Sequence, residues 1–173
     1  MQKTLQLLPG AAAAKRAETQ KCFKKLKQRP PKNLDALMQG LHTATFKGTD
    51  CLSCANCCKT TGPLFTKRDI ARISKHLKIK EKHFITTYLK IDEDNDHVLQ
   101  RVPCAFLGDA NFCNIYSVRP KACREFPHTN RKKFQQITDL TLKNVAICPA
   151  AFTIVEAMKK RLKETGSLYS GQL

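Results

Sequence analysis

The stretch CLSCANCC, residues 51–58, places four cysteines close together in a chain of 173 residues. Two residues between successive cysteines make a tight turn, which lets two thiolates converge on one metal ion. The same opening occurs in ferredoxins, but their next cysteine would fall at position 61, where this chain has Thr61. The stretch therefore predicts a metal centre of another kind, with the first ligands at Cys51, Cys54, Cys57 and Cys58.

Four further cysteines follow singly: Cys104, Cys113, Cys123 and Cys148. If Gly108–Asn111 form a four-residue hairpin loop, Cys104 and Cys113 share one face of the hairpin, about 7–8 Å apart. Cys148 directly precedes a predicted helix, whose N-terminal dipole favours a thiolate. The pattern predicts two four-cysteine sites or one larger iron-containing cluster. Buried apolar cysteines and the disulfides of an exported protein remain the alternatives.

Charge and hydropathy limit the class of protein. The formal net charge is +17, which favours polyanionic partners, RNA or a ribonucleoprotein such as the ribosome first. No run of about 18–20 apolar residues predicts a membrane span, and Pro9-Gly10 interrupts what a secretory signal would need as an apolar stretch. We therefore expect the thiols to lie in a reducing compartment, the cytoplasm.

The chain is predicted to have three parts. Residues 1–32 form a basic arm whose only acidic residue is Glu18, residues 33–165 form the cysteine-cluster domain, and residues 166–173 form a flexible tail. Cys22, alone in the arm, is predicted to be a free thiol and not a ligand. The predicted nucleic-acid contacts are the cations of the arm: Lys15, Arg16, Lys21, Lys24, Lys25, Lys27, Arg29 and Lys32.

Periodicity predicts the fold class. Apolar stripes indicate helices after Asn33, from Thr66 with a capping-box partner at Asp69, and from Pro149, with another short helix over residues 81–90. The segment HVLQR alternates like a strand, and residues 104–116 read as a hairpin. The fold class is thus α+β: a small, mainly α-helical domain with a short β-hairpin, organised around a cysteine-ligated metal centre.

The ordered set CLSCANCC, PCAFLG, CNIY, RPKACREFP and ICP resembles the YkgJ-like cysteine-cluster family over residues 48–150. This family is described as zinc- or iron-chelating. The resemblance implies that all eight cysteines named above are metal ligands, and that Arg119 and Arg124 belong to an arginine-proline signature. Their guanidinium groups would offset thiolate charge, hold a carboxylate or phosphate, or brace a turn.

The favoured function is a metal-binding module with a basic surface that docks on RNA or a ribonucleoprotein. The cofactor is zinc or iron, as one or two ions or as an iron–sulfur cluster. One alternative is an iron–sulfur or iron-dependent redox or methyl-transfer enzyme, and another is a metal delivery or sensing protein. Eight cysteines without a suitably placed acid or base favour binding over catalysis.

Overall fold

The computed structural model of the chain describes residues 2–166. Its α-helices are α1 (Gln2–Gln28), α2 (Leu34–Phe46), α3 (Cys51–Cys54), α4 (Asn56–Thr60), α5 (Lys67–Leu77), α6 (Glu81–Tyr88), α7 (Lys121–Glu125), α8 (Thr138–Asn144) and α9 (Pro149–Glu164). The strands β1 (Leu89–Ile91) and β2 (His97–Leu99) form a two-stranded sheet. None of the helices in residues 2–166 is both long and apolar enough to cross a membrane.

The chain divides into two compact units. Met1–Asp50 and Pro127–Leu173 form the first, called here the helical unit, and Cys51–Phe126 forms the second, called here the cysteine unit. Each unit has its own cluster of buried apolar side chains. The fold class is confirmed as mainly helical with a small antiparallel sheet, whereas the predicted division at residues 32 and 165 stays a prediction. Of the predicted tail, 166–173, all but Gly166 lies outside the described residues.

The helical unit buries one stripe from each of its longer helices. Leu34 and Met38 of α2 lie one turn apart and are buried against Ile154 and Met158 of α9 in one cluster. The rings of Phe23 in α1 and Phe134 meet edge to face, with centroids 6.1 Å apart. Spacings of three and four residues put these side chains on one helix face, so the predicted stripes of α2 and α9 are confirmed.

Helix α1 combines a basic outer surface with a buried face. Phe23 and Leu26 belong to the core of the helical unit. Beside them Lys159 of α9 is 3% exposed, and its ammonium group lies 3.3 Å from Glu18 and 2.6 Å from Glu156. Hydrogen bonds from Lys163 and Lys159 lower the pKa of Glu18 to about 2. The segment that the sequence describes as an arm thus supplies buried side chains and ion pairs to the helical unit.

The cysteine unit has a smaller core with an aromatic centre. Phe84 is fully buried, and its ring lies against Phe65, Tyr88 and Phe106 with centroid distances of 5.9, 5.3 and 6.1 Å. The helix predicted over residues 81–90 ends at Tyr88. Leu89 and Lys90, the last two residues of that prediction, belong to β1 instead.

The sheet joins β1 to β2 through the acidic turn DEDND. Leu89 pairs with Leu99 and Ile91 with His97. The carboxylate of Asp92 accepts hydrogen bonds from the backbone N–H groups of Asp94 at 3.1 Å and Asp96 at 2.9 Å. The predicted strand HVLQR is therefore confirmed in β2.

Residues 104–116 reverse direction, but the predicted register is wrong by one residue. The isolated bridge joins Leu107 to Cys113, where Phe106 was expected opposite Cys113. Ala110 has a left-handed φ of 52° inside a 3-10 turn, and the loop is one residue longer than predicted. A slip of one residue exchanges the faces of a strand, so the strand argument for placing Cys104 beside Cys113 fails.

Candidate metal centre

The first four cysteines lie on two short helices. Cys51 and Cys54 begin and end α3, whereas Cys57 and Cys58 lie on α4. Ala55 between them is buried with φ 45°, a strained conformation for a residue with a side chain. Because the helix is interrupted at Ala55, Cys51 and Cys54 lie on one helical turn and Cys57 and Cys58 on another. The four cysteines therefore do not form one continuous stripe.

Cys57 and Cys58 form a close pair of thiols on α4. Their sulfur atoms lie 4.0 Å apart. In a tetrahedral zinc site with Zn–S bonds of about 2.3 Å, two sulfurs are separated by about 3.8 Å. The hydrogen bond with Cys57 lowers the pKa of Cys58 to about 7, against the opposite effect of burial. This pair thus has a metal-compatible separation and a thiol that ionises near neutral pH.

Cys104 and Cys113 come close to this pair by a route other than the predicted hairpin. The backbone N–H of Cys104 donates to the carbonyl of Cys58 at 2.7 Å. Both side chains are half-buried against the aromatic core of the cysteine unit. Burial raises the pKa of each thiol, and the charge of Cys58 raises it further.

Cys123 adds a third half-buried thiol from α7. Burial, together with charge on Cys58, Cys104 and Cys113, raises its pKa to about 12, while Arg119 acts in the opposite direction. The thiols of Cys58, Cys104, Cys113 and Cys123 are therefore within electrostatic reach of one another. Thiolates at these four positions would repel one another unless a cation neutralised their charge.

The donor set fits zinc or iron by its chemistry, because clustered thiolate sulfur is the preferred ligand of both tetrahedral zinc and iron–sulfur centres. The separation of the Cys57 and Cys58 sulfurs fits as well. Within residues 2–166, however, no three histidine, cysteine, aspartate or glutamate side chains are arranged to hold one ion together.

Two of the nine cysteines lie in the other unit. Cys148 precedes α9 as predicted, and its sulfur accepts a hydrogen bond from the N–H of Ala151 at 3.5 Å. It packs against the core of the helical unit. Cys22 is buried in the same core, and burial raises its pKa to about 11. Seven of the eight predicted ligands thus belong to the cysteine unit.

Arg119 and Arg124 both contact the turn that precedes α7. The guanidinium group of Arg119 donates to the carbonyl of Tyr116 at 2.7 Å and lies 3.9 Å from the centre of its ring. Arg124 donates to the carbonyl of Arg119, also at 2.7 Å. The charge of Arg119 also offsets part of the rise that burial causes in the pKa of Cys113. Both arginines therefore brace the turn, and Arg119 also offsets thiolate charge.

The predicted nucleic-acid contacts lie on α1, apart from Arg29 and Lys32, which follow its end. All are exposed except Lys25, which is half-buried. Lys27 pairs with Asp139 at 2.7 Å and Lys15 with Glu18 at 3.6 Å.

The sequence analysis missed a buried ion pair, Asp69 with Arg72. Asp69 was identified only as the partner of Thr66 in a capping box, which is confirmed. Its carboxylate also accepts a hydrogen bond from the N–H of Lys121, 52 positions later, at 3.1 Å. Burial alone would raise the pKa of Asp69, but hydrogen bonds from Thr66, Arg72 and Lys121 lower it below its usual value. The capping-box spacing and the three-residue spacing of Asp69 and Arg72 were local signals, whereas the contact of Asp69 with Lys121 is distant in sequence.

Comparison with known proteins adds a family. The family model described as "CxxCxxCC: Putative zinc- or iron-chelating domain" matches residues 50–141, which include seven of the predicted ligands and end before Cys148. The chain is also 32% identical over 91 residues to "Uncharacterized protein MJ0661" of Methanocaldococcus jannaschii. That alignment covers 51% of this chain and 49% of the relative, so the chain spans about half the length of that protein. No solved structure matches the chain.

Proposed function

Because this chain belongs to the CxxCxxCC family of zinc- or iron-chelating domains, we propose that its cysteine unit binds zinc or iron through cysteine thiolates. The ligands that the geometry supports best are Cys57, Cys58, Cys104, Cys113 and Cys123. The other cysteines of the predicted set, Cys51, Cys54 and Cys148, stay predicted ligands of the same centre or of a second one.

The observation that carries the proposal is the position of Cys58. Its sulfur lies 4.0 Å from that of Cys57, and its carbonyl accepts the N–H of Cys104. Its charge acts on three further thiols from other segments. Cysteines that are far apart in the sequence therefore have one common neighbour.

A bound ion would supply the positive charge that stabilises several thiolates close to one another. Cys104, Cys113 and Cys123, whose pKa values are raised, would release protons on binding, so uptake should be coupled to proton release. The same cross-link would join α4 to α7 and to residues 104–113. The proposed role is structural binding, because such a cross-link would hold together helices of five residues that are not stable alone.

The first test is metal analysis of protein prepared without oxygen, with a visible absorption spectrum. Stoichiometric zinc in a colourless protein, or iron in a coloured one, would identify the ion. Replacing Cys57 and Cys58 together by Ser should abolish retention, whereas Cys22→Ser should not change it. Equal retention by both variants would contradict the proposal.

RNA or ribonucleoprotein docking is a second proposal, favoured by the exposed cations of α1. Lys21 and Lys24 face solvent on a helix whose single acidic residue is Glu18, and Arg29 is exposed directly after the end of that helix. Phosphate contacts of this kind weaken steeply between about 50 and 200 mM salt. Replacing Lys21 and Lys24 by Gln should lower RNA affinity and flatten its salt dependence, while Lys78 and Lys90→Gln serves as the matched control. Equal effects of the two pairs would argue against a site on α1.

A further inference from the structure

The carboxylate of Asp69 and the guanidinium group of Arg72 form a polar pair with many hydrogen bonds in the cysteine unit. Asp69 accepts from the hydroxyl of Thr66 at 2.6 Å and from the N–H of Lys121 at 3.1 Å. Arg72 donates to Asp69 and to the carbonyls of Val118 at 3.3 Å and Arg119 at 3.0 Å. Two charged side chains of α5 thereby hold three backbone groups of the distant segment 118–121.

Because Asp69 is buried, its carboxylate needs hydrogen-bond donors at defined positions. The side chain of Asp69 is 2% exposed, and a carboxylate removed from water is stable only when its oxygens are hydrogen-bonded. Both oxygens are engaged, one by Thr66 and the other by Arg72 and Lys121. Helix α5 is itself fixed by Ile70 and Ile73 in the core of the cysteine unit. The pair is thus a rigid point from which the segment at residues 118–121 is positioned.

The segment held in this way leads directly into a proposed ligand. Lys121 is the first residue of α7, and Cys123 lies two residues further along that helix. A helix of five residues has no appreciable stability alone, so its position depends on the contacts at its ends. At this end Arg124 donates to the carbonyl of Arg119, the same acceptor that Arg72 uses.

We infer that Asp69 and Arg72 are positioning residues that hold Cys123 where it can bind the metal; this inference rests on the proposed function. They do not contact the thiol. They act through the backbone of residues 118–121, and the planar fork of Arg72 spans two carbonyls that a lysine could not bridge in the same way.

The test compares Arg72→Lys with Arg68→Lys in the full-length, metal-loaded protein. Arg72→Lys keeps a cation beside Asp69 but removes the fork, whereas Arg68 is an exposed residue of the same helix. Competition with a chelator should show zinc affinity lowered about tenfold or more in Arg72→Lys, the range known for residues that orient metal ligands. Arg68→Lys should bind zinc like the unmodified protein. Equal affinity of the two variants would overturn the inference.

A double-mutant cycle separates positioning from general loss of stability. If Arg72 acts through Cys123, Arg72→Lys should have no further effect on zinc affinity in a Cys123→Ser background. Leu89→Val, which removes buried side-chain volume from the core of the cysteine unit and lies outside this hydrogen-bond network, should keep its small effect in both backgrounds. Additive effects of Arg72→Lys and Cys123→Ser would overturn the inference. Failure of the unmodified protein to bind zinc or iron would instead remove the proposed function, and the inference with it.

Discussion

The helical unit and the cysteine unit differ in what keeps their elements in place. In the helical unit, α1 and α9 run for 27 and 16 residues and bury apolar side chains in one core. In the cysteine unit, α3 has four residues and α4 and α7 have five each. Helices so short are not stable in isolation. They depend on side-chain contacts such as Asp69 with Lys121 and, in our proposal, on a metal cross-link.

Removing the metal should have the largest effect, because the proposed site would stabilise the cysteine unit and not the helical unit. A structural zinc site contributes on the order of 10 kcal/mol to folding, so chelation should unfold much of the cysteine unit and leave the helical unit protected. Hydrogen exchange with and without chelator would measure this, with amides of α5 and α6 as reporters and those of α2 and α9 as internal controls. Equal protection in both states would mean that no ion stabilises the cysteine unit.

Removing one buried ring from each unit gives the next largest effect. Phe84 and Phe134 are both fully buried, and truncation to Ala should cost about 3–5 kcal/mol in each case. Phe84→Ala should also lower metal affinity, because its ring packs on Phe106 beside Cys104, whereas Phe134→Ala should not. Denaturant unfolding and chelator competition on both variants would test the pair. A loss of metal affinity with Phe134→Ala of the same size would contradict this difference.

The two predicted N-caps offer a smaller, matched test. The hydroxyl of Thr66 accepts from the N–H of Asp69, whereas the Asn33 side chain makes no capping hydrogen bond. Thr66→Ala should therefore cost about 1 kcal/mol, and Asn33→Ala close to nothing. Thermal unfolding of the metal-loaded variants measures both. A cost for Asn33→Ala as large as that for Thr66→Ala would show that the cap is formed in both units.

The smallest effect concerns pH and the helical unit. Glu18 has its pKa lowered to about 2 from 4.5, so its pairs with Lys163 and Lys159 stabilise the folded state above pH 4.5. That contribution is lost as the pH falls from 4.5 toward 2, and for a half-buried pair it should stay below about 1 kcal/mol. Glu18→Gln should therefore lose less stability on acidification than the unmodified protein, measured by unfolding from pH 2 to 7. Parallel pH profiles would contradict the role of Glu18.

Elements and chemistry that depend on near neighbours could be predicted from the amino-acid sequence. Apolar spacings of three and four residues predicted α2, α5 and α9, because one helical turn brings such residues to the same face. The spacing of Thr66 and Asp69 predicted a capping box that is present. Thiol side chains in close repeats likewise indicated zinc or iron, because ligand type follows from the residue alone.

Which distant residues contact one another could be seen only in the folded structure. It placed Cys148 in the helical unit, set the bridge of Leu107 with Cys113 one residue away from the expected register, and brought Asp69 to the backbone of Lys121. Contacts of this kind join residues that no local period connects. Each of these contacts depends on the sum of many weak packing and hydrogen-bonding interactions over a whole unit. That sum cannot be read from a short stretch of sequence.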